Sequence, residues 1–380
     1  MTVVGEELAR RLEAQAYGLG FDLVGFARLG PAETAGAFED WLAAGYAGEM
    51  AYLARGAEKR RDTRLPYAGA ASAVVVALDY GGREPAGPVA RYARGGDYHD
   101  VIVERLRELH AWLGDTLGAG VPGKAYADTG PILERDLARR AGLGWFGKNT
   151  NLLNPRLGSF FVLGALVLAA ELPPSAPFGA DRCGTCTRCL DACPTDAFVA
   201  PRVLDAARCV SYLTIEQRGE IPEGLRAGVG DRLYGCDVCQ EVCPYNHKFA
   251  KALSEPAFAP RSVLLGKDAS TLARTLLAMS QSEFSAAFKG SPMKRAKLRG
   301  LKRNSAVVLG NVGSPNDVPS LAAALSDDEP LVRSHAAWAL GRLGGSASAA
   351  ALRDRLEVEL DEGVRAELGS ALDAVSSRER

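Results

Sequence analysis

The chain of 380 residues is 47% hydrophobic and 24% charged, a composition ordinary for a globular protein, and its length predicts two or three domains. Its formal net charge of −1 excludes general affinity for polyanions, so any nucleic-acid surface must be local. The longest apolar run, residues 160–170, is shorter than the roughly 20 residues that a bilayer-spanning helix needs.

Strand and helix signals alternate through the N-terminal part, which we expect to form an α/β domain over residues 1–172. Helical periodicity predicts helices over residues 2–16, 35–44 and 101–117. The continuous apolar run at residues 70–78 predicts a strand that is buried on both faces.

A polar turn, KAYADTGP at residues 124–131, follows a short predicted strand and precedes a helix that we expect to begin near Pro131. Asp128 stands where the strand gives way to the helix, a place where α/β proteins often carry functional groups. Two interpretations remain open from these residues. Either Asp128 or Thr129 caps the helix, or Asp128 takes part in chemistry.

The glycine-rich stretch GLGWFGKNTN, residues 142–151, resembles two nucleotide-binding motifs but lacks the context of both. Its G-x-G-x-x-G follows a predicted helix and not a strand, and Asn149 replaces the hydroxyl that a P-loop offers to magnesium. We therefore expect no nucleotide here. We expect residues 148–151 to form a flexible polar loop suited to a ligand rich in amide or phosphate groups.

All eight cysteines lie within residues 183–243, in two runs that each end in Cys-Pro. The first run, C-x₂-C-x₂-C-x₃-C-P, has the spacing of bacterial iron–sulfur proteins, in which the fourth cysteine binds the other cluster. We therefore predict two crossed 4Fe–4S clusters in a ferredoxin-like domain over residues 173–258. The first cluster is assigned to Cys183, Cys186, Cys189 and Cys243, and the second to Cys193, Cys209, Cys236 and Cys239.

Zinc and disulfides are the alternatives for these cysteines. Zinc sites usually contain two separate C-x-x-C pairs, and disulfides need an oxidising compartment. The chain begins MTVVGEELARRL, without an apolar signal segment. We therefore expect reduced cysteines in a cytoplasmic protein that does not enter a membrane.

The C-terminal part, residues 259–380, is predicted to be helical and to contain a repeat. Helices are expected over residues 261–288. Residues 304–313 (NSAVVLGNVG) return 31 positions later as residues 335–344 (HAAWALGRLG), and a degenerate copy lies near residues 368–375. Such a period indicates a short helical-repeat array of HEAT type, which presents a surface and carries no chemistry of its own.

A basic segment, residues 289–303, precedes the repeat and contains seven cations and no acid. Unpaired cations at this density repel one another, so we expect an anionic partner, of which nucleic acid is the commonest. The residues expected to bind it are Lys294, Arg295, Lys297, Arg299, Lys302 and Arg303.

Together these parts predict a redox enzyme that acts on a nucleic-acid component. Iron–sulfur clusters deliver single electrons and rarely transform a substrate themselves. A further cofactor is therefore expected in the N-terminal domain, between the clusters and the substrate.

Over nearly its whole length the sequence resembles the epoxyqueuosine reductase family. The segments that carry the resemblance are EKRRDTR, ARYARGGDYHD, ADTGPILERDLARRAGLGWFGKNTNLL, CGTCTRCLDACPTDAF, RCVSYLTIEQRG and RLYGCDVCQEVCP. The resemblance implies reduction of epoxyqueuosine to queuosine at the wobble position of tRNA anticodons. It also implies an external electron donor, two 4Fe–4S clusters and a cobalamin cofactor in a monomeric protein.

By resemblance, Asp128 is the acid that protonates the departing oxygen, with a pKa raised by burial against the cofactor. Asp97-x-His99 begins a D-x-H-x-x-G cobalt-ligand motif, but Ile102 replaces the glycine. We therefore expect no histidine ligand, which agrees with the family. The positions that would line the cobalamin are Arg60, Arg91, Asp128, Leu152, Ser211, Asp237 and Val238.

Two other functions remain as alternatives. A reductive dehalogenase-like cobalamin enzyme acting on a small molecule would share the cofactors but would not need a basic repeat domain. A ferredoxin-type electron carrier would leave the N-terminal domain and Asp128 without a role. If the substrate is tRNA, its modified nucleotide must leave the anticodon loop to reach the site.

Overall fold

The structure is a computed structural model that describes residues 2–378. Its strands are β1 (Thr2–Val3), β2 (Leu23–Arg28), β3 (Ser72–Asp79), β4 (Gly123–Tyr126), β5 (Trp145–Phe146), β6 (Leu152–Leu153), β7 (Phe161–Leu168), β8 (Ala170–Glu171), β9 (Phe198–Ala200) and β10 (Val203–Leu204). Its helices are α1 (Glu6–Gly18), α2 (Ala35–Ala43), α3 (Ala51–Arg55), α4 (Ala57–Arg61), α5 (Tyr98–Leu117), α6 (Glu134–Arg140), α7 (Arg188–Asp191), α8 (Val210–Ile215), α9 (Glu223–Val229), α10 (Val238–Glu241), α11 (Pro244–Phe249), α12 (Ala269–Ala278), α13 (Gln281–Ala287), α14 (Lys297–Val312), α15 (Val318–Ala324), α16 (Pro330–Leu343), α17 (Gly345–Val358) and α18 (Glu362–Arg378).

A four-stranded sheet in the order β2-β3-β7-β4 forms the centre of the N-terminal part, and its neighbouring strands pair antiparallel. β3 pairs with β7 over its whole length, from Ser72 opposite Leu168 to Asp79 opposite Phe161. Every residue of β3 is buried, which confirms the prediction of a strand covered on both faces. Its run of valines suits this position because β-branched side chains pack well on a pleated surface.

Different helices cover the two faces of this sheet. α5 packs on one face through Ile102 and Leu106, and α6 packs on the other through Leu137. Gly164 of β7 lies directly below Ile102, where a Cβ would collide with the isoleucine side chain. Glycine at this position therefore allows α5 to approach the sheet closely.

Three predicted boundaries need correction. Residues 2–3 form a strand that pairs parallel with β8, so α1 begins only at Glu6. α5 begins at Tyr98, because the Asp97 carboxylate accepts a hydrogen bond from the His99 N–H and caps the helix. Residues 261–268 lie outside the helices, and only α12 and α13 occupy the rest of the predicted helical stretch.

The C-terminal repeat is confirmed. α14, α16 and α18 pack side by side and carry the three copies, while α15 and α17 connect them. A Cβ at Gly310 would lie 2.6 Å from the Trp338 ring, and one at the equivalent Gly341 would lie 2.9 Å from Ala371. The repeated glycine is therefore the point where one helix of the array meets the next.

The cysteine-containing part and the repeats share one apolar core. A continuous cluster of buried residues extends from residues 206–234 through α12 to α18. Asn304 of α14 donates hydrogen bonds to the carbonyls of Thr214 at 2.8 Å and Leu233 at 2.9 Å. Among residues 2–378, no helix has both the length and the apolar content that a membrane crossing requires.

Candidate functional site: two thiol sets beside an acid cleft

The predicted ligands of the first cluster surround one cavity. Cys183, Cys186, Cys189 and Cys243 line a space of about 220 Å³, together with Leu153 and other side chains. The first three come from the loop before α7 and from α7 itself, whereas Cys243 stands just before α11. The structure thus brings together the four thiols that the crossed assignment requires, across 54 residues of sequence separating Cys189 and Cys243.

The second set of thiols lies close together as well. Burial raises the pKa of Cys239, and neighbouring Cys209 and Cys236 raise it further. Burial also raises the pKa of Cys209, where Cys193 adds to the effect. The predicted ligands of the second cluster thus influence one another's ionisation, and their arrangement around one cluster stays a prediction.

The thiols fit iron–sulfur clusters by their chemistry. All eight are free, so none forms a disulfide in this structure. Burial raises the pKa of Cys189 to about 11 and that of Cys236 to about 12. Such thiols stay protonated at neutral pH until a metal centre displaces the proton and stabilises the thiolate.

The polar loop after β5 binds the cysteine loops. Lys148 Nζ donates to the carbonyls of Gly184 at 2.7 Å and Cys186 at 2.9 Å. Asn149 Nδ2 donates to the carbonyl of Cys239 at 3.2 Å. The expectation of a loop free to bind a ligand is therefore wrong for these two side chains, because they already hold both cysteine runs.

Asp128 lies in the turn after β4 and points into a polar constellation. Its Oδ2 accepts a hydrogen bond of 2.9 Å from the Tyr98 hydroxyl and lies 3.5 Å from His99 Nε2. Its backbone has a φ of +56°, which is unusual for aspartate and places the residue in the left-handed region. α6 begins after Leu133 without a side-chain cap, so Asp128 and Thr129 do not cap it.

His99 links Asp128 to a second carboxylate. Its Nδ1 lies 2.6 Å from Asp97 Oδ1, its Nε2 faces Asp128, and its ring stacks on Tyr98 with centroids 4.0 Å apart. Burial alone would lower the pKa of His99, but hydrogen bonds to Asp128 and Asp97 raise it to about 9. The imidazole therefore carries a proton at neutral pH.

The pKa of Asp128 moves opposite to the expected direction. Burial raises it, but hydrogen bonds from His99 and Tyr98 outweigh burial and bring it below its ordinary value. The expected rise depends on burial against a cofactor and stays a prediction. The proton of this pair resides on His99 and the negative charge on Asp128.

Solvent reaches this constellation, and the region around Asp128 is called the acid cleft below. The side chains of Asp128, Glu134 and Arg135 are reached by solvent, with Asp128 67% exposed. Nevertheless, burial is the largest influence on the pKa of each, because protein surrounds them. Tyr92, whose ring lies 5.9 Å from that of Tyr98, is half-buried and shows the same influence.

Glu134 and Arg60 also face Asp128. Glu134 Oε1 accepts a hydrogen bond of 2.7 Å from the backbone N–H of Asp128. Burial raises the pKa of Glu134 to about 8, and the Asp128 charge adds to the rise. Arg60 is buried, and burial lowers its pKa while Tyr52, Glu134 and Asp128 oppose the change. Arg60 therefore lies near the acid site, and its contact with a cofactor stays a prediction.

The remaining predicted cofactor positions lie near the second thiol set. Arg91 Nη1 binds Asp237 Oδ2 at 3.0 Å and Glu241 Oε1 at 2.8 Å, which joins the N-terminal part to α10. Leu152 is buried, whereas Ser211 and Val238 are half-buried. Backbone hydrogen bonds from Ser211 and Val238 reach the thiols of Cys209 and Cys236.

An aromatic chain connects the two regions. The Tyr80 hydroxyl accepts a hydrogen bond of 3.2 Å from Gln240, which follows Cys239 in α10. The Tyr80 ring lies 6.4 Å from that of Tyr92, and the Tyr92 ring lies 5.9 Å from that of Tyr98. Packed side chains therefore link the acid cleft to α10, which carries Cys239 of the second thiol set.

The basic segment is largely paired, in contrast to the prediction. Arg295 forms two hydrogen bonds of 2.8 Å with Glu216, Lys302 lies 2.7 Å from Asp327, and Arg299 lies 3.8 Å from Glu329. Acids distant in sequence neutralise these cations. Within residues 2–378, the exposed cations of the segment without such a partner are Lys289, Lys294 and Lys297.

Arg303 must be removed from the predicted nucleic-acid surface. It is only 1% exposed, and its guanidinium donates to the carbonyls of Leu213, Gln217 and Gly219. Burial lowers its pKa to about 10. This arginine fixes α14 to the end of α8 and cannot reach a phosphate.

Sequence reasoning missed the roles of Tyr98, His99 and Glu134. The D-x-H pattern drew attention to His99, but only as a rejected metal ligand. Its partner Asp128 lies 29 positions away, and Glu134 is one of many acids in the sequence. No spacing rule joins these residues, so the sequence contained no signal for their association.

These features define the class of protein: an iron–sulfur protein with an acid cleft and a helical-repeat array. Comparisons with known proteins agree. Residues 182–246 match the family model "4Fe-4S double cluster binding domain", and residues 296–373 match "HEAT repeats". Residues 60–129 match "Epoxyqueuosine reductase QueG, DUF1730".

Whole-chain relatives are more specific. The chain is 40% identical to the epoxyqueuosine reductases of Xanthomonas campestris and Pseudomonas aeruginosa, over 89% of its length and 97% and 95% of theirs. A crystal structure of an epoxyqueuosine reductase with an epoxyqueuosine-modified tRNA-Tyr stem loop matches with a TM-score of 0.88 and 32% identity, covering 97% of this chain and 99% of that one. The chain belongs to the epoxyqueuosine reductase family of oxidoreductases.

A further relative is known with a displaced loop. The Bacillus subtilis epoxyqueuosine reductase, with a TM-score of 0.86 and 31% identity over 97% of this chain and 99% of its own, is described with its catalytic aspartate loop swung out of the active site. Family membership favours an epoxyqueuosine reductase over the two alternatives, a reductive dehalogenase-like enzyme and a ferredoxin-type electron carrier.

Proposed function

We propose that this protein reduces epoxyqueuosine to queuosine at the wobble position of tRNA anticodons, with electrons from an external donor. The observation that carries the proposal is the Asp97–His99–Asp128 constellation, which aromatic contacts through Tyr92 and Tyr80 link to Gln240 beside Cys239. The relative with a modified tRNA stem loop supports tRNA as the substrate. We further propose a monomer with the three domains 1–172, 173–258 and 259–380.

The two clusters are proposed to bind in the crossed arrangement. The cavity lined by Cys183, Cys186, Cys189 and Cys243 supports the first, because its ligands come from both cysteine runs. The second is proposed on the other four thiols, which adjoin α10. We place this second cluster nearer to Asp128, because Gln240 of α10 contacts Tyr80, from which ring contacts lead through Tyr92 to Tyr98.

A cobalamin is proposed to occupy the cleft. Solvent reaches Asp128 in the cleft, and both nitrogens of His99 already face carboxylates, which leaves no nitrogen of this histidine for cobalt. Ser211, Val238 and Arg60 would hold the cofactor at their surfaces, with Leu152 beneath. Arg91 and Asp237 would act mainly by bracing each other. When bound and reduced, the corrinoid supplies the electrons that break the carbon–oxygen bond.

The protein residues manage the protons. Conversion of an epoxide to an alkene consumes two electrons and two protons and releases the oxygen as water. His99 Nε2 is proposed to pass its proton to Asp128 Oδ2, and the carboxylic acid that results is proposed to protonate the departing oxygen. The second proton is proposed to come from solvent, which reaches the exposed Asp128 side chain. Asp97 keeps the imidazole charged through its contact with Nδ1.

Glu134 is proposed to position the acid. Its hydrogen bond to the Asp128 N–H holds a backbone conformation that aspartate rarely adopts. The relative whose catalytic aspartate loop is swung out supports a loop with two positions. In this structure the loop is held inward by Glu134, Tyr98 and His99.

Replacement of the acid tests the proposal. Asp128→Asn in anaerobically reconstituted protein is expected to keep about eight irons but lose reduction by at least about 100-fold, the contribution of a general acid. Conversion is measured by mass spectrometry of nucleosides from a modified stem-loop. The matched control is Asp100→Asn, an exposed acid in the first turn of α5, which should leave conversion unchanged. Full turnover by the Asp128 variant would contradict the acid role.

A further inference from the structure

Tyr52 is an exposed aromatic residue beside the basic segment. It lies on α3 and is 40% exposed, which is unusual for a tyrosine packed against other elements. The Arg295 guanidinium lies over its ring, 5.6 Å from the centroid. Two hydrogen bonds of 2.8 Å to Glu216 hold that guanidinium in place, so the arginine is a fixed support for the ring.

The same tyrosine is also close to the acid cleft. Burial raises the pKa of Tyr52, and the charges of Glu216 and Asp128 raise it further, while Arg295 and Arg60 oppose them. Charges of the basic segment and of Asp128 therefore both influence the pKa of Tyr52. Arg60, which faces Asp128, packs against Gly56 at the end of α3. The ring thus lies on the rim, between the basic segment and the cleft.

The surroundings of Tyr52 favour a nucleic acid over another ligand. α3 and α4 carry the exposed cations Arg55 and Lys59. The basic segment adds the exposed Lys294 and Lys297, which flank Arg295 in the sequence. Cations of this kind bind phosphates without regard to base identity. An exposed aromatic ring among them offers a face on which any base can stack.

We propose that Tyr52, supported by Arg295, is a stacking platform for a nucleobase of the anticodon loop next to the nucleotide that enters the cleft. This inference rests on the proposed function, because it needs tRNA as the substrate. A nucleotide that leaves the loop exposes the face of its neighbour, and stacking on Tyr52 compensates for the stacking that is lost. The basic segment then contributes to recognition through Arg295 behind the ring as well as through free lysines.

Fluorescence of a substituted stem-loop tests the platform directly. 2-Aminopurine is placed beside epoxyqueuosine in an anticodon stem-loop, and its emission is followed on addition of reconstituted protein. Wild-type protein and Tyr52→Phe are expected to quench the probe. Tyr52→Ala and Tyr52→Leu are expected to abolish quenching and weaken binding about tenfold, within the range measured for base–aromatic stacking. Leucine retains the apolar bulk, so it separates ring stacking from packing if the alanine variant folds poorly.

A control variant completes the test, and the outcomes distinguish failure of this inference from failure of the proposed function. Tyr17→Ala removes a tyrosine that is 44% exposed on α1, and it should bind and quench like wild type. If the leucine variant quenches the probe as strongly as wild type, the platform is overturned. It is also overturned if the phenylalanine variant loses as much quenching as the alanine variant, because the effect then belongs to the hydroxyl. If wild-type protein itself binds no stem-loop, the proposed function fails; if it binds and converts the stem-loop while all Tyr52 variants match it, only this inference fails.

Discussion

The cysteine runs and the acid cleft are assembled in opposite ways. Each cysteine run places several ligands within one loop and one turn of helix, so its chemistry is visible in the spacing alone. The acid cleft joins Asp97 and His99 at the start of α5 to Asp128 after β4 and to Glu134 on α6. Metal ligation can therefore be read locally, whereas proton transfer depends on how the sheet places distant segments.

Cys243 tests whether the cysteine spacing alone gives the cluster ligands, because its predicted partners lie in the other run. Cys243→Ser is expected to lose the first cluster, so that iron content falls from about eight to about four per chain and reduction stops. Iron analysis and electron paramagnetic resonance of the reduced protein measure this. Cys189→Ser is the matched variant and should give the same spectrum. A spectrum that lacks instead the cluster affected by Cys236→Ser would refute the crossed arrangement.

Arg303 is the next test, within the basic segment. Its sequence context suggests contact with a phosphate, whereas its burial shows that it stabilises the fold. Arg303→Ala leaves three carbonyls without a donor and is expected to destabilise the fold by about 3 kcal/mol or more. Chemical denaturation measures the change. Lys297→Ala, in the same segment but exposed, should leave stability unchanged and lower the salt dependence of tRNA binding by about one ion. A stable Arg303 variant with weakened tRNA binding would reverse the assignment.

His99 gives the smallest of these effects. It tests whether the acid cleft, which joins segments distant in sequence, transfers a proton. Because its pKa is raised to about 9, His99 supplies a proton below that pH, and reduction should decline as the pH rises through about 9. His99→Gln keeps a hydrogen-bonding side chain but carries no proton. It should lower the rate about tenfold or more at neutral pH and remove the alkaline decline. Asp97→Asn should shift the decline to lower pH, and an unchanged profile in both variants would exclude the relay.

The basic segment shows why local composition is an incomplete guide. Its cations are consecutive in sequence, but the acids that neutralise them, Glu216 and Asp327, lie in other elements. Interpretation of the segment as an unpaired patch was therefore wrong for Arg295, Arg299 and Lys302, three of its seven cations. Apolar periodicity fared better, because β3 and the repeated helices bury the residues that their patterns indicate.

The sequence by itself determined the iron–sulfur chemistry, the buried strand and the repeat, because each is encoded in a spacing that survives any arrangement of the rest of the chain. Only the tertiary structure decided which carboxylates meet His99, which cations stay free and that Arg303 is buried. Those outcomes depend on contacts between segments far apart in sequence, and the energy of a charge depends on its surroundings more than on its neighbours along the chain.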